Sequence, residues 1–146
     1  MSNPTLRSIP FPVDATTEAK KVEAWLLSKD AEFQLVDDLN ICKNLTGLAS
    51  ITDELVEIIG AANEHNIPNY EQSQEKSIIA IHFLHPTVLP LDQDWVMDLI
   101  PIHAEEEIFV GDQLLDPGSY FHTTQQARVF GEFYGLVVLS RSRQNL

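Results

Sequence analysis

The chain is poor in everything that would make a stapled, basic or membrane-spanning protein. Cysteine occurs once in 146 residues, at Cys42, so no internal disulfide can form. In the run ICKN its one neighbouring cation is Lys43, and we read the thiol as a small buried hydrophobe. Glycine is sparse at 6 residues, and no glycine-rich phosphate loop or G-x-S-x-G elbow is present. Gly131 and Gly135 stand alone and read as strand bulges or turns. Apolar runs such as IIAI and LIPI are too short to cross a bilayer. The opening stretch, MSNPTLRSIPFPVDATTEAKK, holds no apolar core of signal-peptide length. A cytoplasmic protein is therefore expected.

Positive charge is scarce as well. Lys and Arg number 9 against 22 Asp and Glu, for a formal net charge of −13. Phosphate binding needs clustered bases, so direct nucleic-acid binding is not expected. Anionic membranes are disfavoured for the same reason. Between Ser77 and Ala127 there is no Lys or Arg at all. That stretch carries Asp92, Asp94, Asp98, Glu105, Glu106, Glu107, Asp112 and Asp116, together with His82, His85, His103 and His122. It suits a basic protein surface, a divalent cation or a solvated face.

What is present fits a single domain spanning 1–146, of class α+β. Residues 1–15, with Pro4, Pro10 and Pro12, read as an extended segment lying on the body through Ile9 and Phe11. Residues 16–70 form a helical part. One helix is expected over about 17–28, capped by Thr16 or Thr17 with Glu18 in its first turn. Trp25 is its core anchor. FQLV at 33–36 reads as a strand, followed by a turn at Asp37, Asp38 and Asn40. A second helix is expected over about 50–64, with Ser50 and Asp53 as a capping box. Its apolar face holds Ile51, Leu55, Val56, Ile58, Ile59 and Ala62, and Asn66 and Pro68 stop it.

Residues 77–143 form an antiparallel β-rich body. SIIAIHFL reads as a central strand buried on both sides. WVMDLIPI, EIFV, QLL, SYFHTT, ARVFGEF and YGLVVLSRS follow as strands, with turns at Gly111-Asp112 and Asp116-Pro117-Gly118. Many short strands suit a sheet or a small barrel. Phe130, Phe133 and Tyr134 read as core.

The chemistry-bearing residues concentrate in IPIHAEEEIFV. Strand alternation places His103, Glu105 and Glu107 on one face, with His122 approaching from a neighbouring strand. Imidazole and carboxylate together suit a divalent metal. His85-Pro86-Thr87 and His122-Thr123-Thr124 also form a pair of H-x-T runs, the pattern of two-histidine phosphoesterases, in which His is general acid and base.

IPIHAEEEIFV followed by LLDPGSYFHTTQQARVFGEFYGLVVLSRSRQ resembles a cupin, nearest the cupin domain of anti-sigma regulators of the ChrR type. His103 and Glu107 match the spacing of the first cupin motif, and Pro117, Gly118, Ser119 and Tyr120 match the turn of the second. Pro101 stands where the family carries a further His, and no His closes the second motif near Val129. The resemblance covers the last third of the chain. It implies a degenerate cupin-like barrel in which His103 and Glu107 hold a divalent metal weakly or not at all. Three functions follow as expectations. The first is a non-catalytic regulatory protein binding a small ligand or a protein. The second is a metal-dependent cupin-type enzyme using His103 and Glu107. The third is an acidic inhibitor or adaptor that docks a basic partner. Barrels of this kind often pair, so a homodimer is also among the expectations.

Overall fold

The computed structural model describes residues 6–71 and 75–141. Two helices and eleven strands lie in this range. Seven strands form the larger sheet, in the order β1-β9-β6-β11-β4-β3-β2. They are β1 (Leu6–Pro10), β2 (Phe33–Val36), β3 (Leu39–Cys42), β4 (Lys76–Phe83), β6 (Trp95–Ala104), β9 (Ser119–Thr123) and β11 (Phe133–Arg141). The smaller sheet runs β5-β10-β7-β8. Its strands are β5 (Thr87–Leu89), β7 (Ile108–Val110), β8 (Gln113–Leu115) and β10 (Ala127–Phe130). Every strand pairing is antiparallel.

The fold is α+β, and its two sheets are open. The expected barrel is not closed. Frequent turns specify antiparallel neighbours, but closure depends on which distant strands meet. Here the N-terminal segment decides one edge. Residues 6–10 pair with β9, and the β2–β3 hairpin extends the opposite side through β4. The part read as helical thus contributes two strands to the sheet.

Alternation along the strands divides the core into two layers. Ile78, Ala80, Ile100, Leu136 and Val138 face the helices and pack with Val22, Leu48, Leu55 and Ile59. Ile81, Phe83, Leu99, Phe121 and Val137 face the other way, onto Ile108, Val110 and Val129 of the small sheet. The large sheet is therefore covered on both sides. This is why SIIAIHF and YGLVVL are almost continuously apolar.

Helix α1 runs Val13–Leu26, earlier than expected, and neither Thr16 nor Thr17 caps it. Pro12, with φ of −60°, leads the chain straight into the first turn. Helix α2 runs Leu45–Asn66, so Ser50 lies inside it and is not a cap. Asn44 stands at the cap position without a capping bond, because its Oδ1 accepts the Glu32 N–H. Gly47 lies in the first turn because Trp25 packs over it. A Cβ at that position would come 2.7 Å from the indole. The C-terminal end agrees with the expectation, as the helix stops at Asn66. Asp37 and Asp38 both take positive φ, 50° and 68°, as a two-residue hairpin turn between right-twisted strands requires. Ile9 is buried, and Phe11 stacks over Tyr120 at 6.0 Å, so the lead-in does lie on the body.

Candidate functional site

The site grows from an irregularity in β6. From Trp95 to Ile100 this strand keeps strict register with β11, placing Asp98 opposite Val138 and Ile100 opposite Leu136 on the helix side. The register then shifts at Tyr134/Gly135. Gly135 pairs with Pro101 and Tyr134 with His103, leaving Ile102 as the extra residue. The bulge turns His103 towards α1. There its Nδ1 donates to the Glu23 carboxylate at 2.7 Å. Opposite the bulge, Gly135 leaves room for the Phe133 ring, which a Cβ there would meet at 2.8 Å. Gly135, expected as a bulge or turn residue, lies on β11 opposite the bulge, whose extra residue is on β6.

Strand β6 ends at Ala104, so Glu105, Glu106 and Glu107 belong to a loop and not to a strand face. The shared face expected for His103, Glu105 and Glu107 does not exist. Alternation fails because the bulge breaks parity and the strand stops. The loop is held instead by the turn between β10 and β11. Glu106 Oε1 accepts the Glu132 N–H at 2.8 Å. Gly131, with φ of +117°, lets the Glu107 carbonyl pass so closely that a Cβ would meet it at 2.6 Å. The ARVFGEF segment is accordingly two strands joined at this glycine.

The loop brings the three carboxylates around one hollow of about 560 Å³, with Glu23 and His103 also in its wall. Ile102, Ile108, Leu114, Leu115 and Pro117 supply its apolar surface. A second hollow of about 310 Å³ is lined by His82, His103, Glu105, Glu106, Glu132 and Tyr134, among others. His103, Glu105 and Glu106 belong to both. Among the described residues lining either hollow there is no Lys or Arg.

His122 does not join them. On β9 it pairs with Asp98, five positions before His103 on β6. At about 3.3 Å per residue, that puts it about 16 Å away along the strand. It belongs to a buried chain of hydrogen bonds. Its Nδ1 donates to Asp98 Oδ1 at 2.8 Å, and Asn63 Nδ2 donates to Asp98 Oδ2 at 3.0 Å. Tyr120 OH donates to Asn63 Oδ1 at 2.6 Å. Tyr70 closes over His122 edge-on at 5.7 Å. Burial, reinforced by the Asp98 charge, holds the Tyr120 phenol above its ordinary range. The Tyr70 phenol is also raised, mainly by burial, and a hydrogen bond from Asn63 opposes the shift. This group ties α2 to the sheet and opens onto neither hollow.

The sequence reading missed Asp98, Asn63 and Tyr120 as a unit. One signal was visible. A carboxylate in the middle of the apolar run WVMDLIPI must find partners when it is buried. The two H-x-T runs also separate. His85 is exposed ahead of β5 in the small sheet, whereas His122 is buried under the helices. They form no paired acid and base. Among the described residues, no three His, Cys, Asp or Glu side chains converge in a metal-holding group. Cys42 is buried, and burial pushes its thiol up, away from thiolate character.

His82 has a testable titration. Burial, the largest effect, pulls it below its ordinary 6.5; Glu132 draws it up and His103 pushes it down again. The unfolded chain therefore binds this proton more readily than the folded one. The resulting stability is fully present above the ordinary value and is lost as pH falls below it, through the folded value. Unfolding midpoints measured between about pH 7.5 and 5 should fall for the native sequence and fall less for His82→Gln. Equal slopes for the two proteins would remove this assignment.

Compared with known protein families and with curated proteins, the chain matches none. Among the described residues, no helix is long and apolar enough to cross a membrane.

Proposed function

We propose that this is a non-catalytic, cytoplasmic binding protein that takes a basic side chain of a partner protein into the acidic hollow beside His103. One observation carries the reading. Glu23, Glu105, Glu106 and Glu107 share a hollow of about 560 Å³ with an apolar wall, and no Lys or Arg among the described residues lines it. A long basic side chain suits such a place, because its alkyl stem packs on apolar surface while its charge meets carboxylates. The cupin resemblance enters here through its motifs. His103 and Glu107 of the first motif and Pro117 of the second border the same hollow. We therefore read it as an altered cupin-like site in which acidic docking replaces metal chemistry.

Titration with a short basic peptide, followed by fluorescence anisotropy, tests the proposal. Affinity should fall steadily as salt rises, because the contacts are largely exposed charges. The double variant Glu105→Gln/Glu107→Gln should weaken binding about three- to tenfold. Affinity that stays flat across salt would remove the docking reading. Titration with zinc or manganese provides the opposing arm. Tight binding that is lost in His103→Ala would restore the metal-dependent alternative in place of this one.

A further inference from the structure

The outward face of the small sheet carries the wrong residues for a surface that meets only water. An antiparallel sheet with one solvated face keeps apolar residues inside and polar residues outside. Here the inward positions are apolar, as they must be. The outward positions are Val88 on β5, Arg128 and Phe130 on β10, Phe109 on β7 and Leu114 on β8. All but Arg128 are apolar. Val88 is 44% exposed, Phe109 37% and Leu114 46%. Strand pairing sets them side by side. Leu114 lies opposite Phe109, Phe109 opposite Phe130, and Val88 opposite Arg128. A contiguous apolar row that includes aromatic rings and an arginine has the composition of the centre of a protein–protein contact.

The row is charged oppositely at its two ends. Leu114 also walls the larger hollow, with Glu105, Glu106 and Glu107. Arg128, at the other end, is the only Lys or Arg from Ser77 to Ser140. It is exposed, and among the described residues no ion pair engages it. Neighbouring strands stand about 4.8 Å apart, so Leu114 and Phe130 are about 10 Å from each other, and Arg128 lies about 7 Å further along β10. An extended segment of about four residues spans that distance. We propose that this face docks the partner segment whose basic side chain enters the larger hollow. Apolar side chains next to the base pack across Leu114, Phe109 and Phe130, and a carboxylate beyond them meets Arg128. This rests on the acidic docking reading and names the partner's chemistry: a base, an apolar pair and an acid in spatial order. Charge at both ends selects this occupant over a second copy, whose same face offers no base but Arg128 and which brings a further net charge of −13.

Three labelled peptides test the proposal against the whole protein by fluorescence anisotropy. The first carries a lysine, two adjacent leucines and an aspartate. The second has serines in place of the leucines, and the third has asparagine in place of the aspartate. The leucine peptide should bind about tenfold tighter than the serine peptide. Phe109→Ser should bring that ratio close to one, and Leu114→Ser reads the same ratio should Phe109→Ser fail to fold. Aspartate should be preferred over asparagine about threefold, and Arg128→Gln should abolish the preference. Glu105→Gln/Glu107→Gln should weaken all three peptides alike. Equal affinity for the leucine and serine peptides in the unsubstituted protein overturns the docking face and leaves the acidic docking reading standing. Binding of none of the three removes both. Dimerisation in sedimentation velocity that Phe109→Ser abolishes would give the face to a second copy and overturn the partner assignment.

Discussion

Replacing Asp98 with alanine is expected to destabilise the fold by about 3–5 kcal/mol, the usual cost of breaking a buried charged pair from one side. Asp98 is 2% exposed and His122 4%, so water does not readily take the place of the lost carboxylate. The substitution strands two donors at once, His122 Nδ1 and Asn63 Nδ2. Through Asn63 it also loosens the hydrogen bond from Tyr120. Urea unfolding should show a large drop in midpoint with little change in slope. Asp98→Ala combined with His122→Ala should cost clearly less than the two single losses together, because they share one interaction. A loss under about 1 kcal/mol for Asp98→Ala would mean that the network relaxes around the gap and does not tie α2 to the sheet.

Leu55→Ala is the second large effect, expected at about 2–5 kcal/mol. Leu55 is fully buried on α2, in the cluster shared with Leu48 and Ile59 and with Ala80 and Leu136 of the large sheet. The sheet beneath is anchored on its other side by the small sheet, so it cannot readily move in to fill the space. Glu57→Ala, on the exposed side of the same helix, should stay within about 0.5 kcal/mol. If the two variants unfold alike, α2 packs on the sheet by a different face.

These two residues differ in how visible they were beforehand. Leu55 could be read from period alone, because Leu55, Val56, Ile59 and Ala62 recur as one helix face must. Asp98 could not. Its neighbours announce a buried strand, but its partners come from α2 and β9, 35 and 24 positions away. The candidate site shows the same division. His103 and the three following glutamates were singled out from composition, and the structure does bring them to one hollow. Their expected arrangement on one strand face failed, because the bulge beside Gly135 and the end of β6 at Ala104 come from pairing with β11. Glu23, 80 positions from His103, and the His82–Tyr134 stack were not anticipated at all.

The sequence by itself determined the α+β class, the acidic balance, the turns at Asp37, Asp38 and Gly111, and the apolar face of α2. Each of these follows from forces that act within a few residues: backbone sterics, strand or helix period, and local charge. Only the tertiary structure decided that the sheets stay open, that His122 is removed from His103 to a buried network, and that Glu23, His103 and the 105–107 loop meet. Those outcomes depend on strand order and on one shift of register, which slides every later side chain to a new neighbour. The energies that select such a register are summed over both layers of the core, so no single stretch of sequence carries them.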